Sequence, residues 1–562
     1  VQRLTRPFSL PPLAIALLAG VLAYAIAPFG DQIWDDKLLA QQVAAFGSLG
    51  DLLKPPQGIV QWSYSYYRPI EVASHMLDAW LFGPGAVVGP HLANVAYHLT
   101  CTALVWVLAR RLLTANEAGQ AGALFAAVIF AVHPIHTESV SWIAGRVDVL
   151  ATVFLLLALV VALRWLDEGE LWSLFLSPTC FFLATLGKEV AVSGIVIMPL
   201  LLVLARPAPP HAAVKPRERW LPILAMAACW LGALWSYFSL RFAADAGIVP
   251  YEADFAALPL RALRAVAWYL IKLVAPWPQL HFVTAGRLPG LLVTVPVLLL
   301  GASVLLFAVR RWRDSGDTVP VLGLLWIGAS LAPLMAALMP GLTETPVAER
   351  YLYLPSVGMV LTAGALAAGL AATAMAQRAA WVAVAVAVLY LASTLWRGTV
   401  WLSELRLWAN ATRQAPDHAI PWIEYGGSLH ATGQLQPALE AFQRGIDLAS
   451  DPLNLAIGNY KAGITHAQLG HWAAAREAFD AALAAEPGLV EARLGKAVGL
   501  SAEARSYQDR NQGLQALDAY RAALAELQNA EAINAAVTNR PEVRQLRRQL
   551  AAEVARLQGA SR

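Results

Sequence analysis

The chain is poor in charge. Only 14% of its 562 residues are Asp, Glu, Lys or Arg, whereas 58% are hydrophobic; a soluble globular protein carries about 25% charged residues. With a mean hydropathy of +0.53, there is too little polar surface to hold a body of this size in water. A soluble enzyme is therefore excluded as the first reading, and so is a disordered chain. An excess of one sign is lacking too: a net charge of +3 is too small to argue for a nucleic-acid partner, and none is expected. Cysteine is scarce. Cys101, Cys180 and Cys229 each sit in an apolar run and form no CxxC pair. Disulfides and thiolate metal sites are not expected, and the three thiols read as small buried hydrophobes.

What the chain has instead is tryptophan, 20 residues of it, as suits aromatic belts at two membrane interfaces, and long apolar runs. About 20 such residues cross a bilayer as a helix. Runs of this kind recur at 9–29, 91–109, 120–133, 147–163, 171–187, 189–205, 220–241, 289–309, 319–340, 352–375 and 379–396. These eleven predicted spans make residues 1–397 an all-α polytopic membrane bundle. Basic residues set its orientation. Arg3 and Arg6, Arg110 and Arg111, Arg164, the group Arg206, Lys215, Arg217 and Arg219, the group Arg310, Arg311 and Arg313, and Arg378 all fall on the cytoplasmic side when the N-terminus does. Loop 30–90 and everything after residue 397 are then outside. Residues 259–280 are apolar enough to cross, but Arg261, Arg264 and Lys272 fall on helical spacing, and a crossing there would invert every later loop. The segment reads as an amphipathic helix at the outer interface.

Residues 398–562 are more polar, and they repeat. Gly426, Gly433, Ala438 and Phe442 match Gly463, Gly470, Ala475 and Phe479, with Ala482 and Pro487 completing the second unit. Two glycines seven apart, then alanine and phenylalanine, follow the tetratricopeptide pattern, in which small residues let two helices cross closely beside an aromatic seam. A third, degenerate unit runs from Val490 to Leu527 with Ala516, Tyr520 and Ala523 in phase. An insertion around Arg505–Gly513 is expected to interrupt it, and a charged helix from Pro541 to Leu557 to cap the stack. Solenoids of this kind bind peptides or partners through a concave face.

Ionisable groups at membrane depth are costly and mark functional cavities. Here they gather at span ends on one predicted side: Asp31, Asp35 and Asp36; Arg68; His91, Asn94 and His98; His133, His136 and Glu138; Arg146 and Asp148; Lys188 and Glu189; and Glu344, Glu349, Arg350, Tyr351 and Tyr353. Each has a plainer reading. An Asp-Asp pair after a span often caps a helix, and Lys188–Glu189 or Glu349–Arg350 would serve as internal ion pairs. His133 and His136 have the spacing of a metal pair, but that spacing is common by chance. Their shared side is what argues for one extracytoplasmic site. A transporter would place its charges near the midplane or on paired broken helices, and a tetratricopeptide scaffold would leave the charged motifs unexplained.

The stretches IWDDKLLA, YYRPIEVASH, HLANVAYH, HPIHTESVSWIAGRVDVLA, GKE and VAERYLYLPSVG occur in that order before the repeats. The chain in this respect resembles the TMTC group, the transmembrane and tetratricopeptide O-mannosyltransferases and their bacterial relatives, within the GT-C class of glycosyltransferases. The resemblance implies a multispan bundle with its site facing the lumen or periplasm. It implies a sugar donor carried on a polyprenyl or dolichyl monophosphate and a protein hydroxyl as acceptor. This sequence departs from animal members in having about three repeats. Its short loops and alanine-rich composition suggest a bacterium, hence a multi-pass inner-membrane protein with a periplasmic repeat domain. An exported protein such as a pilin is the expected acceptor, with a lipid or cell-envelope glycan as the alternative; membrane lipids surround the bundle.

Inverting glycosyl transfer needs a carboxylate to take the proton of the attacking hydroxyl, and a lipid-phosphate leaving group needs cations. The resemblance implies a first-loop aspartate as base, either Asp35 or Asp36; Asp35 is preferred, with Asp36 orienting it or holding a divalent metal ion. No other cofactor is expected. Arg68, Lys188 and Arg350 are the expected donor-phosphate contacts. His91, Asn94, His133, His136, Glu138, Arg146, Asp148, Glu189, Glu349, Tyr351 and Tyr353 are candidates for binding substrate or supporting the aspartate loop.

Overall fold

The computed structural model describes residues 11–46, 49–52, 67–205, 220–244, 257–280, 283, 285–338 and 346–560. Arg3, Arg6, the basic residues from Arg206 to Arg219, and Glu344 lie outside the described residues. Among those described, the chain is helical and its only extended pairing is an isolated bridge between Val283 and Val347. It forms two compact units, Val1–Ser403 and Glu404–Arg562.

The first unit is built from α1 (Pro12–Ala23), α2 (Asp36–Ala45), α3 (Pro69–Phe82), α4 (Val88–Leu112), α5 (Glu117–Val132), α6 (Thr137–Ser141), α7 (Arg146–Glu168), α8 (Leu171–Gly187), α9 (Gly194–Leu204), α10 (Trp220–Ala243), α11 (Leu258–Val274), α12 (Leu291–Ser315), α13 (Val319–Leu331), α14 (Tyr353–Ala371) and α15 (Ala376–Gly398). Among the described residues, eight apolar helices are long enough to cross a bilayer: Pro12–Phe29, Val88–Leu112, Arg146–Glu168, Trp220–Ala243, Leu291–Ser315, Val319–Leu338, Glu349–Ala371 and Ala376–Leu402. A ninth crossing is broken, Glu117–Val132 bending by 42° into Pro134–Ser141, and Leu171–Gly187 and Glu189–Leu204 are shorter apolar helices. Each of the eleven predicted spans thus falls on an apolar helix. The last extends beyond the predicted 379–396 at both ends, and the short one at 120–133 is the first arm of the bent pair. This is a multi-pass membrane bundle.

Its chemistry suits lipid on the outside and close packing within. Leu292, Leu299, Leu300 and Phe307 on α12, and Trp381, Val382, Val388 and Trp396 on α15, are exposed; in water such faces would be a liability, whereas hydrocarbon accepts them. Inside, helices approach at small residues. A β-carbon on Gly122 of α5 would lie 2.4 Å from the Gly364 carbonyl of α14, and one on Gly323 of α13 would lie 2.4 Å from the Gly358 carbonyl. Apolar environments offer no hydrophobic drive between helices, so backbone approach of this kind supplies the packing.

The two ends of the bundle differ. At one, Arg146 at the start of α7 donates to Pro90 O at the start of α4 (3.0 Å), and Asn94 Nδ2 donates to Trp142 O (2.8 Å). At the other, Arg111 at the end of α4 pairs with Asp167 near the end of α7 (2.6 Å), and the Arg311 guanidinium lies beside Gly369 near the end of α14. α4 and α7 therefore run parallel, with basic clusters at one end and the polar motifs at the other. α11 has the predicted amphipathic pattern, but it does more than rest on a surface. Ala265, Ala267, Trp268, Tyr269, Lys272 and Leu273 are buried, and Lys272 points to Glu349 (3.1 Å). Of the cysteines, Cys101 and Cys180 are buried and Cys229 is half-buried.

The second unit contains α16 (Glu404–Gln414), α17 (Ala419–Ala431), α18 (Leu435–Leu448), α19 (Pro452–Gln468), α20 (Trp472–Ala485), α21 (Val490–Asp509), α22 (Gly513–Ile533) and α23 (Pro541–Ala560). Successive pairs from α17 to α22 pack as three helical hairpins, a solenoid. Gly433 and Gly470 turn the first two, at φ +77° and +76°, a region open to glycine at no steric cost. The expected insertion near Arg505–Gly513 is a correction: it forms no interrupting loop, because its residues continue α21 to Asp509, and α22 begins at Gly513. Val543 and Leu550 of α23 are buried with Tyr520, Ala523 and Leu527 of α22, so α23 closes the stack.

Candidate active site

The first-loop aspartates part company immediately. Asp36 opens α2 and is buried: its Oδ2 accepts the Ile33 N–H (3.0 Å) and its Oδ1 the Ala144 N–H (2.9 Å). One carboxylate thus ties the loop 30–36 to the turn before α7. Burial pushes the Asp36 carboxyl up to about 7, against the pull of those two N–H groups. Asp35, the residue before α2, is only half-buried. The Asp31 N–H donates to Leu402 O (3.1 Å), so the loop is anchored at both ends.

The expected phosphate partners all carry carboxylates of their own. Lys188 Nζ lies 2.7 Å from both oxygens of Asp148. Arg68 Nη2 donates to Glu189 (3.0 Å), and Arg241 stands 3.6 Å from the same carboxylate. Arg350 pairs through its guanidinium with Glu138 and donates its backbone N–H to Glu138 Oε2 (3.2 Å). The chain-adjacent pairs considered from the sequence, Lys188 with Glu189 and Glu349 with Arg350, do not form: Glu349 is held by Lys272 and by the Leu280 N–H (2.7 Å). Neighbours in a chain point apart at these turns, and each finds a partner on another helix.

The histidines are structural acceptors and donors. His98 Nε2 bonds the Ala131 carbonyl (3.1 Å), which accepts only, so Nδ1 accepts from the Tyr353 hydroxyl (2.7 Å). By the same reasoning His133 donates through Nε2 to Leu273 O (3.2 Å) and accepts the Ile135 N–H on Nδ1 (3.3 Å). His136 bonds Phe130 O and Ser356 Oγ, each at 2.9 Å. Both nitrogens of His133 and of His136 are engaged, and among the described residues no group of three or more His, Cys, Asp or Glu is placed to hold a metal. His91 is fully buried and closes on the backbone of the aspartate loop at Gly30 and Asp31: a β-carbon at Gly30 would lie 3.1 Å from its Nε2.

The fold adds residues that the sequence reading did not select. Glu71, His75 and Asp78 lie along one buried face of α3, at spacings of four and three. Asp78 pairs with the fully buried Arg146 (2.5 Å). Burial raises the Glu71 carboxyl to about 7, with Arg68 and Lys188 drawing it back. Burial drives His75 well below its ordinary value, so it is neutral. The helical spacing within YYRPIEVASHMLD was the available signal, since polar residues at i, i+4 and i+7 share a face. Trp34, Trp142 and Lys272 also join the site: Trp34 stacks on Trp142 (4.9 Å between centroids), and Lys272 pairs with Glu349 (3.1 Å); Lys188, besides its pairing, lies over the Tyr351 ring (4.9 Å). Chemically, the arrangement sets the half-buried Asp35 next in the chain to Trp34, whose ring lies 5.9 Å from the Arg350 guanidinium, with an aromatic stack and several buried ion pairs at the same end of the bundle.

Tmtc1, a protein O-mannosyl-transferase of Drosophila melanogaster, is 37% identical over 143 residues, 25% of this chain and 16% of that protein. TMTC3 of Mus musculus is 24% identical over 432 residues, 70% of this chain and 45% of that protein. TMTC3 of Homo sapiens is 23% identical over 469 residues, with coverages of 76% and 49%. The chain thus spans about half or less of the length of these relatives. Among solved structures, an Archaeoglobus fulgidus oligosaccharyltransferase aligns at 15% identity with a TM-score of 0.39, over 68% of this chain and 53% of that one. No family model matches. The resemblance to the TMTC proteins expected from the motifs is present in these relatives.

Proposed function

We propose that this TMTC-like membrane protein is an inverting GT-C glycosyltransferase that moves a sugar from a polyprenyl-phosphate carrier to a hydroxyl of an exported protein. In this reading, the polar end of the bundle faces the periplasm of a bacterial inner membrane, and the repeat unit, in the same compartment, positions the acceptor, a pilin among the exported proteins that fit. The observation that supports it most is the contrast between the two aspartates. Asp36 is spent holding the loop, and Asp35 stands half-buried beside it.

Asp35 takes the proton of the acceptor hydroxyl as its oxygen attacks C1 of the sugar. The bond from C1 to the phosphate oxygen breaks, and the lipid phosphate leaves with the electron pair. Arg350, held in place by Glu138, is the cation that meets that charge, because a guanidinium presents a planar fork of donors that matches phosphate geometry. Lys188 and Arg68 bring their charge already shared with Asp148 and Glu189. His91, Asn94 and the Arg146–Asp78 pair brace the loop and the turn before α7.

The test uses the full chain in detergent or nanodiscs. It is offered polyprenyl-phosphate sugars or nucleotide sugars, with either exported proteins or lipid and envelope glycans of the host as acceptors. Transfer to protein from the lipid carrier alone supports the proposal. Efficient transfer from a nucleotide sugar without lipid carrier overturns the donor, and transfer only to a glycan overturns the acceptor. A reporter active only in the periplasm, fused after Arg562, should be active; a cytoplasm-only signal overturns the orientation.

A further inference from the structure

Trp34, immediately before the aspartate pair, has φ +53°. For a bulky residue this left-handed backbone is an outlier that persists only where the surroundings over-determine it. They do so here. The Asp36 N–H bonds Ile33 O (3.0 Å), while the Asp36 carboxylate holds Ile33 and Ala144. The Trp34 ring lies on Trp142 at 15° and 4.9 Å, and Trp142 in turn stacks with Trp401 at 27° and 6.3 Å. The Arg350 guanidinium stands 5.9 Å, 5.7 Å and 4.9 Å from the ring centroids of Trp34, Trp142 and Tyr351.

Trp142 and Trp401 are buried, whereas Trp34 is partly exposed. Trp142 Nε1 is buried with no hydrogen-bond partner among the described residues, although such a donor is normally satisfied. A hexose has one face of C–H bonds, weakly positive, and a rim of hydroxyls. The negative π-face of an indole attracts the first; a carboxylate, a guanidinium and an indole N–H suit the second. A partly exposed indole backed by two buried ones, next to Asp35 and Arg350, offers both.

We propose that Trp34 is the platform on which the donor's sugar ring stacks, its left-handed backbone placing the indole and Asp35 on the same reacting unit. This inference rests on the lipid-phosphate sugar donor proposed above. Trp34→Gly removes the ring while suiting the positive φ; Trp34→Phe keeps an aromatic face; Trp34→Leu keeps apolar bulk without one. Binding of the full-length protein is measured to polyprenyl phosphate, bare and carrying mannose, glucose or N-acetylglucosamine.

The expected result has three parts. Wild type binds at least one sugar-bearing lipid more tightly than the bare lipid. Trp34→Gly and Trp34→Leu lose roughly tenfold for that lipid while holding the bare lipid as before. Trp34→Phe keeps most of the affinity. Should the glycine variant not fold, the Leu and Phe variants carry the same comparison. An equal loss for bare and sugar-bearing lipids makes Trp34 a structural residue and overturns the inference. So does unchanged sugar-lipid binding in the Gly or Leu variant. A wild type that binds neither lipid overturns the donor reading itself, a result distinct from any difference among variants.

Discussion

Lys188 Nζ lies 2.7 Å from each carboxylate oxygen of Asp148, and the two side chains are only 7% and 5% exposed. The lysine sits after α8, the aspartate in the first turn of α7. An ammonium so placed is neutralised before any phosphate arrives, and the same holds, less deeply, for Arg68 with Glu189 and Arg350 with Glu138. A site of paired charges costs less to keep at membrane depth than a bare cationic pocket, and it gives each cation a fixed position.

Breaking the Lys188–Asp148 pair should therefore be worse than replacing it. Lys188→Met leaves a buried carboxylate alone, a loss of about 3–5 kcal/mol, whereas Lys188→Met with Asp148→Leu should recover most of the thermal midpoint. Melting of the detergent-solubilised protein reads the first effect. Polyprenyl-phosphate binding by the double variant reads the second: reduced binding keeps Lys188 as a donor contact, and normal binding makes it purely structural.

Asp35→Asn and Asp36→Asn should fail in different ways. The first keeps the shape of the loop but removes the proton acceptor, so turnover should fall roughly 10²–10⁴-fold with the melting midpoint and donor binding intact. The second turns an amide N–H₂ toward a backbone N–H, at Ile33 or Ala144, leaving a buried donor unsatisfied. It should destabilise the protein by about 1–3 kcal/mol. Equal stability with lost turnover in Asp36→Asn, and normal turnover in Asp35→Asn, would exchange the two roles.

The raised Glu71 carboxyl makes stability depend on pH. Its folded value is about 7, above the ordinary 4.5, so between those values the folded chain binds the proton that the unfolded chain has released. Stability from this group is full below about 4.5 and is lost as pH rises through about 7. Glu71→Gln, neutral throughout, should melt higher than wild type at pH 8, and the gap should close toward pH 5. Melting curves of both proteins across that range provide the check; a gap that widens on acidification contradicts the burial argument.

In the repeat unit, a β-carbon on Gly426 would lie 2.6 Å from the Phe442 ring, and one on Gly463 would lie 2.9 Å from Phe479. Gly426→Ala should therefore cost about 1–3 kcal/mol through overpacking. Adding Phe442→Leu should return part of that loss by vacating the seam. Calorimetry of the full chain distinguishes this from a helix-propensity effect, which would make the alanine stabilising.

Much of the architecture was legible because it follows from local pattern. A run of apolar residues has to be helical in hydrocarbon, where every backbone polar group must be satisfied within its own segment, so the spans followed from composition. The equivalence of Gly426 and Phe442 with Gly463 and Phe479 showed the repeat, because helix crossing imposes the same small-and-aromatic pairing in each unit. The collection of polar motifs at one end and basic clusters at the other was also visible, since alternate crossings sort the loops.

Partnership was decided only by the tertiary structure. Glu349 pairs with Lys272, 77 residues away, while its neighbour Arg350 turns to Glu138. Nothing in the spacing distinguishes those pairings from the chain-adjacent ones. Whether Asp35 or Asp36 is consumed by the loop depends on where the Ala144 N–H arrives, more than 100 residues on. Trp34 stands in IWDDKLLA, but nothing in that stretch shows its conformation or contacts; its left-handed backbone and its stack on Trp142 exist because α2, the turn before α7 and residues 399–402 meet there. Burial and hydrogen bonding are properties of what surrounds a residue, so they come into being only once distant segments have packed.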